Sequence, residues 1–70
     1  MSATMVHIGE RLKKQRTRRA LTQAQLAERA GVTTATVARI ERDEIEPRMT
    51  TLGKLARALE VDPAELVESS

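Results

Sequence analysis

The sequence predicts an all-α protein of five short helices, and three observations carry that expectation. The 70 residues include no Phe, Tyr or Trp. A core must then come from Leu, Ile, Val, Met and Ala, which pack as helical ridges more readily than as a small sheet. No segment alternates apolar and polar residues as a half-buried strand does. Instead, apolar residues recur at helical spacing in blocks closed by cap and turn residues. A chain this short forms one domain with a thin core. Residues 6–70 are taken as that domain and Met1–Met5, which lack periodicity, as a flexible tail.

The first helix is expected from Val6 to Arg18, with Ile8 and Leu12 four apart on one face and basic residues on the others. Thr22 starts the second. Thr22-Gln23-Ala24-Gln25 fits a capping box, in which the Thr takes the third amide and Gln25 reaches back to the Thr backbone. Leu26, Ala27 and Ala30 form its apolar stripe, and Gly31 ends it in a left-handed conformation that costs glycine nothing. Thr33 caps a third helix running to about Glu41, with Val37 and Ile40 as its core pair. A loop, Arg42 to Pro47, follows. Leu52, Leu55, Ala56 and Leu59 then mark the clearest amphipathic helix. Asp62-Pro63-Ala64-Glu65 begins a short fifth helix, with an Asp cap, Pro at the first helical position and Glu at the third.

Composition removes several classes of function. There is no Cys, so disulfides and thiolate metal sites are out. His7 is the only histidine and has no organised partner, so neither a metal site nor a nucleophile system is expected. Gly53-Lys54 lacks the upstream glycine of a phosphate loop. The acidic run Glu41, Asp43, Glu44, Glu46 lacks the glycine and ligand spacing of a calcium loop and reads as a solvated loop. The expectations are no cofactor, no metal and no enzymatic activity. No apolar run approaches the roughly 20 residues of a membrane span, and no signal-peptide pattern opens the chain, so a cytoplasmic protein is expected.

Charge is distributed unevenly. Residues 1–40 carry eight Lys/Arg against two Glu, whereas residues 41–70 carry four Lys/Arg against eight Asp/Glu. The basic residues concentrate at Arg11, Lys13, Lys14, Arg16, Arg18 and Arg19. One side of the molecule should therefore attract polyanions and the other should not.

The stretch Gln23 to Arg42 points to a partner. Two short helices meet across a turn of a few residues. Ala27 is small where the second helix would cross, Gly31 makes the corner, Val32 plugs it, and Val37 and Ile40 pin the second helix to the core. This is the spacing of a helix-turn-helix, whose second helix is free to enter a major groove. At about 100° per residue, with Val37 and Ile40 inward, Ala35, Ala38, Arg39 and Arg42 fall on the outward face and Glu41 near the inner edge. Arg39 is the strongest candidate for base readout, since an arginine can bond O6 and N7 of guanine together. The alternative is a surface arginine paired with Asp43 or a phosphate.

The segments IGERLKKQR, LTQAQLAERAGV, TTATVARIER and EPRMTTLGKLARALEVDPAEL, spanning Ile8 to Val67, resemble the phage repressor/Cro (Xre-type) helix-turn-helix family. The resemblance implies a compact five-helix, lambda-repressor-like domain that binds double-stranded operator DNA, usually as a homodimer on a pseudo-palindrome. It assigns Thr34 and Ala35, with Arg39, to base edges. Gln23, Thr33, Arg42 and Arg48 are the phosphate candidates, and of the basic cluster Arg16 and Arg19 are expected nearest the DNA. Ala27, Gly31, Val37, Ile40 and Glu41 are expected to be structural, with Glu41 paired to Arg16. Val61, Leu66 and Val67, with Leu59, are the first candidates for a dimer interface.

The sequence departs from the family pattern in three ways. Ala20 stands where a Gly often ends the first helix, which makes that corner a place for strain. Asp43 replaces the usual Gly after the third helix, tolerating left-handed geometry but adding charge. Glu44 and Glu46 add more, which should weaken nonspecific attraction to phosphates. Within the family, the roles open to the chain are a stand-alone regulator acting as a repressor, an antitoxin, and a restriction–modification controller protein. A protein–protein adaptor that does not bind DNA is the alternative from another class, and any protein partner is unidentified.

Overall fold

The computed structural model describes residues 8–67. Five helices follow in order: α1 Ile8–Arg18, α2 Gln23–Ala30, α3 Thr34–Glu41, α4 Met49–Leu59 and α5 Ala64–Val67. There is no strand among the described residues. The tail Met1–Met5, the expected helix start at Val6, and His7 lie outside them.

Local chemistry sets the helix ends. At α2 the capping box is complete: Gln25 N donates to Thr22 Oγ1 at 3.0 Å, and Thr22 N donates to Gln25 Oε1 at 2.8 Å. Gly31 closes the same helix at φ 74°. Its successor turns back, with Val32 N donating to Ala27 O at 3.0 Å. Thr33 Oγ1 accepts from Thr36 N at 3.1 Å and starts α3. Arg48 occupies the cap position of α4 and its side chain makes no capping bond. Asp62 Oδ1 accepts from Ala64 N at 2.9 Å, and Glu65 Oε2 accepts from Asp62 N at 3.4 Å, so α5 also has a reciprocal start.

Three helices end at left-handed residues that are not glycine. Ala20 has φ 57°, Asp43 φ 60° and Glu60 φ 59°. At Ala20 this is the strained corner expected where the family pattern has Gly, and it brings Leu21 N onto Arg16 O at 3.1 Å. Asp43 shows the geometry for which its short polar side chain is suited.

The core joins all five helices. Ile8, Leu12, Leu21, Leu26, Ala27, Ala30, Val37, Ile40, Leu52, Leu55, Ala56, Leu59 and Leu66 are buried in one cluster, with Val32, Val61 and Val67 packed against it. Helix α2 packs on α3 and α4, and α1 packs on α3 and α5. Met49 is 68% exposed and stands outside this cluster. One expectation is corrected here. Leu59 and Leu66 are each 0% exposed. They close α5 against the protein's own core and are not available to a second copy, because the short α5 has no other apolar side chain as large to bury.

Two glycines inside helices have opposite surroundings. A Cβ at Gly53 would meet nothing within 4 Å. Gly53→Ala is expected to stabilise the protein by about 0.5–1 kcal/mol through helix propensity alone. A urea midpoint that falls would show that this position is used for more than helix. Gly9, in contrast, sits where a Cβ would lie 2.5 Å from Ile40 O and 2.7 Å from both Glu41 O and Asp43 Oδ1. The first turn of α1 thus presses on the last turn of α3, and Gly9 N donates to Asp43 Oδ1 at 3.3 Å.

Candidate nucleic-acid interface

The α2–turn–α3 unit is set by small residues at the crossing and by one polar network behind it. Ala27 is 2% exposed, which lets the two helix backbones come close, and Val37 and Ile40 at 0% and 1% fix the inner face of α3. Behind them, Glu41 at the end of α3 collects donors from two other helices. Arg16 of α1 places Nε 2.7 Å from Glu41 Oε2 and Nη2 3.0 Å from Oε1. Gln23, at the first position of α2, donates from Nε2 to Glu41 Oε1 at 3.0 Å. Arg16 Nη1 completes the set with a 2.8 Å bond to Leu21 O.

This network is sheltered from water. The Arg16 and Glu41 side chains are 11% and 4% exposed. The hydrogen bonds to Glu41 raise the Arg16 pKa above its already high ordinary value; the Glu41 charge adds to this, and burial opposes it. Glu41 is thus occupied in the scaffold. Arg16 was expected near phosphates, yet three of its five N–H donors are taken by Glu41 and Leu21 and its side chain is mostly covered. Geometry makes it the pin between α1, α2 and α3.

The outward side of α3 is different. Thr34, Ala35 and Arg39 are exposed. Among the described residues, Arg39 has no hydrogen bond or ion pair, so the pairing with Asp43 considered above does not form. Asp43 is turned toward Gly9 instead. Thr33 is exposed but its hydroxyl is shared with Thr36 Oγ1 at 2.9 Å. Because the caps take the third amide of each helix, the amides of Gln23 and Ala24, and of Thr34 and Ala35, point out of α2 and α3 without a protein partner among the described residues. Each helix start thus presents free N–H groups at the positive end of its dipole, which suits an anion.

The remaining candidates differ in how free their side chains are. Arg42 is exposed but engaged, with Nε 2.7 Å from Glu44 Oε2 and Nη2 3.3 Å from Oε1. Its pKa is raised, first by the hydrogen bonds to Glu44 and then by the Glu44 charge. Arg48 is exposed at the start of α4. Arg19 is near Glu60 at 3.9 Å, an exposed and loose pairing. No group of acidic or histidine side chains among the described residues could hold a metal ion. No helix among them is long and apolar enough to cross a membrane.

Sequence reasoning did not find the Gly9 contact or the hydrogen bond from Gln23 to Glu41. A signal for the first was present: a glycine in the first turn of a helix is unfavourable unless something approaches it closely. Nothing in the sequence marks the second, which depends on how α2 crosses α3.

Fold and site together define a five-helix helix-turn-helix domain of the repressor type, with α3 as its exposed second helix. Comparison with known proteins agrees: residues 12–66 match the helix-turn-helix family HTH_3, and the chain belongs to that family. It is 42% identical over 60 residues to the immunity repressor protein of Bacillus phage phi105, covering 86% of this chain. That stretch is 42% of the phage protein, so the chain spans less than half of that relative. Among solved structures, the restriction–modification controller protein C.AhdI from Aeromonas hydrophila superposes with a TM-score of 0.86 at 35% identity, covering 93% of this chain and 98% of that one. The P22 c2 repressor, solved in complex with synthetic operator 9T, gives 0.83 at 32% identity over 90% of this chain and 96% of that one.

Proposed function

We propose that this chain is a sequence-specific regulator of transcription that binds double-stranded DNA through α3, acting as a dimer on a pseudo-palindromic operator. The observation that carries the reading is Arg39: an exposed, unpaired arginine on the outward face of a helix whose inner face is locked into the core. Thr34 and Ala35 share that face toward the helix start, where a short hydroxyl and a methyl can meet base edges. Gln23, Thr33, Arg42, Arg48 and Arg19 are the proposed phosphate contacts. Arg16 acts behind them as scaffold. Similarity to the phage immunity repressor favours repression. The near end-to-end match to C.AhdI supports a controller protein as the second reading. Neither role calls for catalysis or a cofactor, and both place the protein with DNA in the cytoplasm.

In-vitro selection from a random duplex pool, at two salt concentrations, tests this directly. The expected result is a motif of two half-sites about 10 base pairs apart, with binding that weakens steeply as salt rises. Arg39→Ala should relax preference at one base pair per half-site and cost about 1–3 kcal/mol on the best duplex. If Arg39→Ala selects the wild-type motif unchanged, Arg39 is not the base reader. A folded protein that enriches no sequence at either salt supports the adaptor instead.

A further inference from the structure

Of the acidic residues at and after the end of α3, two have a structural task. Glu41 holds Arg16 and Gln23, and Asp43 receives the Gly9 amide. Glu44 has a different partner. Its two carboxylate oxygens face Arg42 at 2.7 and 3.3 Å in a two-point contact. The side chains are 59% and 50% exposed, so this pair supports no core. The positive charge of Arg39 also reaches Glu44, adding to the effect of Arg42 in holding its carboxyl below the ordinary range. One carboxylate therefore sits in the field of two cations, both on the outward side of α3.

A carboxylate across two guanidinium donors has the geometry of a phosphate on the same donors. We propose that Glu44 is a specificity-determining residue, which stands in for a DNA phosphate on Arg42 and gives way only where α3 is fully seated in its groove. The inference rests on the DNA-binding reading above. Exposed ion pairs are weak, so a phosphate held firmly against Arg42 by the rest of the interface displaces Glu44. In a loosely seated complex nothing holds the phosphate there. The pair persists, Arg42 contributes no counterion release, and the acidic loop repels the backbone. Glu44 thus weakens binding to arbitrary sequence more than binding to the operator.

The test compares wild type with Glu44→Gln on two labelled duplexes, the one recovered by selection and a mixed-sequence duplex of the same length. Glu44→Gln should bind the mixed-sequence duplex about three- to tenfold more tightly at moderate salt, with a salt dependence steeper by about one unit. On the selected duplex the gain should be under about twofold, so the ratio between the two falls. Glu46→Gln removes the same charge without touching Arg42 and should show little of this gain. In an Arg42→Gln background the Glu44→Gln gain should vanish. Equal gains on both duplexes overturn the proposal, as does an equal gain from Glu46→Gln or a gain that survives without Arg42. Wild-type binding with no change in Glu44→Gln overturns it alone, whereas wild type that binds neither duplex removes the DNA-binding reading as well. An unfolding midpoint equal to wild type confirms that the variant reports on binding.

Discussion

Glu41→Ala is expected to lower the stability of the folded protein by about 2–4 kcal/mol. A domain of this length has on the order of 4–10 kcal/mol in total, so the variant should be partly unfolded at ordinary temperature. The reason is what the substitution leaves behind. Arg16 is 11% exposed and gives Nε and Nη2 to Glu41. Without the carboxylate, a nearly covered guanidinium keeps its charge and loses its partner, and Gln23 loses the acceptor for Nε2. The small remaining exposure of Arg16 puts the loss at the lower part of the range for buried pairs. Replacing both partners by apolar side chains of similar volume, Arg16→Met with Glu41→Leu, should recover much of the loss, because no charge is then stranded. Urea unfolding followed by far-ultraviolet circular dichroism measures both, since a chain without aromatic residues has no fluorescent reporter. A loss below about 1 kcal/mol for Glu41→Ala would mean that the pair behaves as an ordinary surface pair.

Gly9→Ala should destabilise by about 2–4 kcal/mol, against the sign of helix propensity. In an isolated helix the change would gain about 1 kcal/mol. Here the new methyl would stand 2.5 Å from Ile40 O and 2.7 Å from Glu41 O, both backbone atoms at the end of α3. Neither can turn aside as a side chain would, so α1 and α3 must move apart and loosen the core between Ile8 and Ile40. The shift would also stretch the bond from Gly9 N to Asp43 Oδ1. The comparison with Gly53→Ala is instructive, because the same chemical change in two helices of one protein is expected to have opposite signs. Thermal midpoints of the two variants, measured side by side, decide it: a Gly9→Ala protein as stable as wild type would show that the α1–α3 contact relaxes at no cost.

Much of this fold was legible because each helix announces its own ends. Thr22 with Gln25, Gly31, Thr33, and Asp62 with Glu65 are local signals, and each cap needs only residues within three or four positions. The stripe Leu52, Leu55, Ala56, Leu59 is local in the same sense. Contacts between helices were less accessible. Leu66 looked like an interface residue from its place near the C-terminal end, whereas the structure folds α5 back so that Leu66 fills the core. The pairing of Arg16 with Glu41 came from the family resemblance and is present, whereas the covering of Arg16, which sets it apart from exposed neighbours such as Arg18 and Lys14, depends on how α1 meets α3. Arg42 and Glu44, two residues apart, could have been paired from sequence, but a turn of almost any shape separates such residues. The observed turn, with Asp43 at φ 60°, brings them together.

The Glu41 network also bears on time. It joins α1, α2 and α3 through side chains of the chain itself. On the proposed reading, the recognition helix reaches DNA already aimed, and no ordering step stands between encounter and reading. Each trial register along a duplex can then be sampled at the speed of sliding, with the pace of the search set by diffusion and electrostatic steering and not by a rearrangement of the protein.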